Sequence, residues 1–174
     1  MNTYPSPLEM LYKWEKETPE KIYLRQPIRG AWEQWSWKET AAQVRKMAAY
    51  LKSLNLPEGS KIGVLSKNCS HWMFSDLAIM MAGHVSVPLY PNLNAETLRQ
   101  ILEHSETQVL FVGKLDDYES MRPGVPENIQ CIAYPFYTEE GCHVWDDLVK
   151  DIDPITENII REPKDLATII YTSG

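Results

Sequence analysis

The chain reads as an α/β protein: a mostly parallel sheet with helices on both faces. Three observations predict this. Short apolar runs, most of them containing β-branched residues, recur at 62–65, 85–89, 109–112, 129–133 and 166–171. Several of the segments between them place apolar residues every three or four positions, as a buried helix face requires. No internal repeat or low-complexity stretch interrupts the alternation. Strand–helix alternation at this spacing favours right-handed crossovers, which set helices on both sides of the sheet.

The elements follow in order. Ser6-Pro7 has the form of a helix start, with serine at the N-cap and proline at the first helical position. Leu8, Leu11 and Tyr12 form its stripe, and Pro19 ends it. Residues 22–26 and 31–35 read as two strands around the turn-like Pro27-Ile28-Arg29-Gly30. Ser36 and Glu39 make a capping box. Behind it Trp37, Ala41, Val44, Met47, Ala48, Leu51 and Leu54 keep helical spacing until Asn55-Leu56-Pro57-Glu58-Gly59 stops the helix.

After the 62–65 strand, residues 70–82 are apolar on nearly every side, the pattern of a buried helix. The 85–89 strand contains Pro88, which removes a ladder donor and suits a strand end or edge. Asn94 can cap a helix whose face is Leu98, Ile101 and Leu102. A short helix within 114–121 precedes the breaker run 122–126, and 144–149 reads as one helical turn or two. Residues 166–171 read as a last, buried strand. The predicted organisation is an N-terminal helix and hairpin arm, 1–36, followed by an α/β unit, 37–174.

Composition narrows the function. The chain carries 17 basic and 24 acidic residues, a net charge of -7, with no basic stripe; a nucleic-acid partner is therefore not expected. No apolar run reaches the roughly 20 residues of a membrane span. Met1-Asn2-Thr3-Tyr4-Pro5-Ser6 has neither the basic start nor the apolar core of a signal peptide. Cys69, Cys131 and Cys142 are odd in number and irregularly spaced, which favours reduced thiols in a cytoplasmic protein.

Thr172-Ser173-Gly174 is the main site candidate. It follows the 166–171 strand, and in open α/β sheets ligands sit beyond the carboxyl ends of the strands. Two hydroxyls and a glycine offer donors and close backbone approach to an anion. The spacing is not Gly-x-x-x-x-Gly-Lys-Ser/Thr, so on the tripeptide alone a plain polar turn is the simpler reading. Cys69-x-His71 and Cys142-His143 could in principle supply zinc ligands, but the spacing fits no standard finger; burial of Cys69 and Cys131 as small hydrophobes is preferred. His84 and His104 stand isolated, without an orienting group or nucleophile. Asp116-Asp117, Glu139-Glu140 and Asp146-Asp147 read as solvated faces or helix N-terminal charges. Trp72 reads as core.

Several segments together resemble a known family. Trp35-Ser36-Trp37-Lys38-Glu39, Gly59-Ser60-Lys61-Ile62-Gly63-Val64, Asn68, Trp72, Asp76-Leu77-Ala78, the segment from Gly83 through Val87-Pro88-Leu89-Tyr90-Pro91, and Tyr171-Thr172-Ser173-Gly174 follow one another in the order of AMP-forming acyl-CoA synthetases. The chain resembles this adenylate-forming superfamily, and its wording is most similar to the long-chain fatty acid CoA ligases. His84 and Asn92-Leu93-Asn94 depart from the pattern. The resemblance implies the N-terminal part of the family's large domain, ending within the ATP phosphate loop. It implies ATP, Mg²⁺ and coenzyme A as cofactors, and ATP, a fatty acid and coenzyme A as partners of the full-length enzyme. Thr172, Ser173 and Gly174 would hold ATP phosphates, and no catalytic or metal-ligating residue falls within this chain. Tyr171 would support the loop. A homodimer and peripheral membrane contact are compatible with it, since a fatty acid partitions into bilayers. Two other readings stay open: adenylation of another carboxylic acid for transfer to a carrier protein, and a non-catalytic flavodoxin-like binding module.

Overall fold

The structure, a computed structural model, describes residues 4–172. Helix α1 (Pro7–Glu17) begins at the expected cap. Ser6 Oγ accepts the Glu9 N–H at 3.3 Å, and the Glu9 carboxylate accepts the Ser6 N–H at 2.7 Å, a second capping box. Strands β1 (Ile22–Ile28) and β2 (Ala31–Ser36) form an antiparallel ribbon. Its two-residue turn sets both Arg29 (φ 49°) and Gly30 (φ 84°) in the left-handed region, which matches the twist of a tight hairpin. Pro27, expected in the turn, instead pairs with Trp32 inside the ribbon. A two-stranded ribbon is all edge, so the missing N–H is tolerated.

Helix α2 (Trp37–Ser53) starts at the Ser36–Glu39 box, and the predicted stripe from Ala41 to Leu51 is fully buried. Asn55 ends it in the left-handed conformation (φ 52°), where a short polar side chain is least strained. There follow β3 (Lys61–Leu65), α3 (Ser70–Met81), β4 (Val85–Leu89), α4 (Ala95–His104) and β5 (Thr107–Val112). Helix α5 (Tyr118–Met121) continues into a 3-10 turn, Arg122–Gly124. Then come β6 (Gln130–Ala133), β7 (His143–Val144) and α6 (Trp145–Val149). Strand β7 has only two residues, too few for alternation to announce it.

The five strands β3 to β7 are all parallel, in the order β4-β3-β5-β6-β7. Side-chain alternation divides the core. Ile62, Val64, Val109 and Phe111 pack under α1, α2 and α3, with Trp145 of α6. Leu65, Leu110 and Val112 face the other way, against Leu98 and Leu102 of α4 and Tyr118 of α5. Leu8, Leu11 and Tyr12 of α1 belong to the first of these cores. The boundary proposed at residue 36 falls between β2 and α2.

From α6 the chain runs back without regular structure and is fastened by Arg45 of α2. Its guanidinium donates to the carbonyls of Ile155 (3.1 Å) and Glu157 (3.2 Å), to Asn158 Oδ1 (2.7 Å) and to the Glu15 carboxylate (2.9 Å). Tyr12 adds a hydrogen bond to the Ile159 carbonyl at 3.1 Å.

The predicted buried strand 166–171 is the main correction. The segment lies parallel to β4 but makes a single bridge, Ser86 to Thr168. Ser86 donates to the Ala167 carbonyl at 3.0 Å, and Ile169 donates to the Ser86 carbonyl at 2.9 Å. The next donor along β4 would be Pro88, which has no N–H, so the ladder stops. Leu166 and Ile170 remain 55% and 65% exposed.

Candidate functional site

Parallel strands deliver their carboxyl ends to one rim, and among the described residues a crevice opens there. Ligands in such sheets usually sit where the strand order reverses, here between β3 and β5. That position is closed. The Gly113 N–H donates to the Leu65 carbonyl (3.0 Å), the Lys67 N–H to the Lys114 carbonyl (2.8 Å), and the Lys114 N–H to Ser66 Oγ (2.9 Å). Tyr134 lies over Gly113 so closely that a Cβ there would sit 2.2 Å from its ring.

The opening lies one strand over, at the ends of β3, β4 and the 166–172 segment. It is a crevice of about 560 Å³. One wall is apolar, made by Trp72, Pro88, Leu89 and Ile170; the mouth is polar, made by Ser66, Lys67 and Asn68. Trp72, expected in the core, does pack against the core under α3, but it is only half-buried and also forms part of this wall. Lys67 is held at the rim by Asp116, with Nζ to Oδ1 at 2.6 Å. Asp76 follows Trp72 by one turn of α3, and burial raises its carboxyl pKa. The sequence signal for Asp76 was an acid inside an otherwise apolar helix.

Alternation along the last segment aims its residues to opposite sides. Ile170 faces the crevice, whereas Ile169 and Tyr171 pack against the α4 core. The Tyr171 hydroxyl lies 2.7 Å from His104 Nδ1, with the rings edge to face. His104 is thus not isolated; its partner is 67 residues away, a pairing no local pattern shows. Thr172, the next residue, is exposed. Ser173 and Gly174, the rest of the predicted phosphate-binding tripeptide, lie outside the described residues.

The other candidates separate. Cys69 packs on the α3 side of the sheet and Cys142 on the α4 side, so the zinc alternative is not assembled. His71 is buried among Trp35, Phe74, Tyr134 and Trp145, and burial lowers its pKa to about 4. Asp117 caps α5, and Asp146 and Asp147 occupy the first turn of α6. His84 is buried with its Nδ1 unpartnered. The α3 N-terminus is capped from β1: the Ser70 N–H donates to Gln26 Oε1 at 2.7 Å.

A parallel sheet with a crevice at its strand ends, apolar on one wall and polar at the mouth, defines an α/β protein with a candidate ligand site. The chain belongs to the AMP-binding enzyme family, whose profile matches residues 11–174. It is an adenylate-forming enzyme sequence, and the family implies use of ATP. It is 29% identical over 172 residues to the long-chain-fatty-acid–CoA ligase FadD15 of Mycobacterium bovis, covering 95% of this chain and 28% of that protein. It is 31% identical over 156 residues to the hybrid PKS-NRPS synthetase pydA of an Acremonium species, covering 90% of this chain and 3% of that protein. The fold matches the crystal structure of the anthranilate CoA ligase AuaEII in complex with anthranoyl-AMP, with TM-score 0.83 at 20% identity. That match covers all of this chain and 33% of the ligase. The chain thus spans about a third or less of the length of these relatives. No helix among the described residues is long and apolar enough to cross a membrane.

Proposed function

We propose that this chain is the N-terminal part of an ATP-dependent, AMP-forming long-chain fatty acid CoA ligase. Thr172, Ser173 and Gly174 begin its phosphate-binding loop. The observation that carries the reading is the path of residues 166–172. The Ser86 bridge and the Tyr171–His104 contact hold the segment just before Thr172 against the fold, with Ile170 lining the crevice, and this supports the reading.

The chemistry explains what such a loop must do. A carboxylate is a poor electrophile, so one of its oxygens attacks the α-phosphorus of ATP and pyrophosphate leaves. The thiol of coenzyme A then attacks the acyl-adenylate carbonyl, and AMP leaves. In the first half the departing phosphates gain charge. Hydroxyl and backbone N–H donors placed in advance stabilise that charge and orient the attack. Residues 172–174 supply such donors. Mg²⁺ would accompany the nucleotide, but among the described residues no three His, Cys, Asp or Glu side chains gather to hold a metal ion.

The test is fatty-acid-dependent ATP–pyrophosphate exchange by a protein extended to the full ligase length. Thr172→Ala or Ser173→Ala should lower the exchange about 100-fold, the scale of losing one donor to developing charge. Residues 1–174 alone should release no pyrophosphate. Exchange that is indifferent to both substitutions would refute the assignment. The similarity to pydA supports a second reading, adenylation of another acid for a carrier-protein thiol. A panel of fatty, aromatic and amino acids in the same assay separates the two.

A further inference from the structure

Two of the three cysteines meet at the far edge of the sheet, away from the crevice. Ile132 pairs with His143 and Ala133 with Val144 in the parallel β6–β7 ladder. The same register, extended back by one residue, sets Cys131 beside Cys142. Parallel neighbours lie roughly 4.8 Å apart, within the Cα separation of roughly 4.4–6.8 Å that a disulfide spans. Both side chains pack on the α4 side of the sheet and line a cavity of about 780 Å³ with Tyr118. Both are partly exposed, so a small oxidant can reach them.

We propose that Cys131 and Cys142 form an oxidation site, closing reversibly to an intrachain disulfide when a hydroperoxide such as hydrogen peroxide enters this cavity. Cys131 is the attacking thiol. Hydrogen bonding from the Cys142 thiol outweighs the burial of Cys131, and the Tyr118 hydroxyl helps, so its pKa is lowered to about 7. An ordinary thiol titrates near 8.5, so at neutral pH Cys131 carries far more of the reactive thiolate. Cys142 is driven the other way, chiefly by its hydrogen bond to Cys131, with burial adding to it and Glu139 opposing its ionisation more weakly.

The Cys131 thiolate attacks one peroxide oxygen. The O–O bond breaks, the departing hydroxide takes a proton to become water, and Cys131 becomes a sulfenic acid. Cys142 sulfur then attacks Cys131 sulfur, and the S–O bond breaks. The thiol proton of Cys142 leaves with the hydroxide as a second water. Two thiols are oxidised by two electrons in all, and one peroxide is reduced to two waters. Strand β7 is a two-residue edge strand, so it can shift towards β6 without disturbing a neighbour beyond it.

The test is stoichiometric hydrogen peroxide on the 174-residue chain, then alkylation and peptide mapping. The expected product is a Cys131–Cys142 linked peptide that dithiothreitol reverses, with Cys69 still alkylated. In Cys142→Ser, Cys131 should stop at a sulfenic acid trapped by dimedone. Alkylation rates of the untreated wild-type chain against pH give an independent readout, with Cys131 titrating near pH 7 and ahead of Cys69. Oxidation of Cys69 first, disulfides only between chains, or a Cys131 midpoint at the ordinary thiol value would each overturn the proposal.

Discussion

Replacing Arg45 with alanine should destabilise the chain by roughly 3 kcal/mol, the low end for removing one partner of a buried ion pair. The Arg45 side chain is only 11% exposed and Glu15 28%, so neither charge is fully solvated. Hydrogen bonds to charged groups contribute about 1.5–3 kcal/mol each when they are not easily replaced. Arg45 makes bonds of this kind to Glu15, to two backbone carbonyls and to Asn158. They do not add in full, because the Glu157 and Asn158 contacts lie at the surface and water replaces part of them. The ring of Tyr12, 5.1 Å from the guanidinium carbon, contributes a further fraction. Urea unfolding gives the direct measurement; with a slope of about 2 kcal/mol per molar, the midpoint should fall by about 1.5 M. Arg45→Lys should recover less than half, since a point charge can meet Glu15 but not four acceptors at once. Hydrogen exchange should show residues 155–172 losing protection first. A loss below about 0.5 kcal/mol, the scale of an ordinary surface change, with lysine equal to arginine, would refute the view of Arg45 as the clamp on the returning chain.

Other substitutions probe the scaffold in the same way. His71 has its folded pKa lowered by burial from 6.5 to about 4. The unfolded chain therefore binds more protons between those values, and stability is complete above pH 6.5 and lost as pH falls towards 4. The loss is roughly 3 kcal/mol at about 1.4 per tenfold in proton affinity, read as the difference between wild type and His71→Gln across a pH series of unfolding curves. Gly124→Ala would set a Cβ 2.1 Å from the Ala95 carbonyl oxygen, a backbone atom that cannot swing aside. It should cost about 1–3 kcal/mol by thermal unfolding. Gln26→Ala removes the acceptor of the buried Ser70 N–H and should cost about 1–2 kcal/mol, with α3 amide exchange accelerated at its first turn.

Much of the fold was legible because its signals are local. The Ser36–Glu39 box, the stripe from Ala41 to Leu51 and the all-round apolar 70–82 segment each state their structure within a few turns of helix. Within residues 135–164 only the short helix at 144–149, found as α6, was legible. Their placement rests on single long-range contacts, such as the Trp145 indole donating to Gln43 at 2.9 Å, and on Arg45 reaching across more than 100 positions. The 166–171 strand was recognised by composition but misjudged as buried, because periodicity reports the residues of a strand and not whether a neighbour lies beyond it. For the site, Thr172 was chosen from its position after that segment. The Trp72 wall was missed because a tryptophan on an apolar helix carries the same pattern whether it faces a core or a crevice. The Tyr171–His104 pairing needed the register of two elements that share no sequence signal.

Pro88 gives the edge of the sheet a mechanical character. A complete ladder would act as a rail, fixing every residue of the neighbouring segment by main-chain geometry that almost any sequence satisfies. With one bridge allowed and the next refused, the segment carrying Thr172 is instead pinned at Ser86 and steered by what its own side chains touch, Ile169 and Tyr171 on one side and Ile170 on the other. The aim of its tip is thereby written in replaceable residues. A change at His104 or Ile170 could redirect it while leaving the sheet beneath intact.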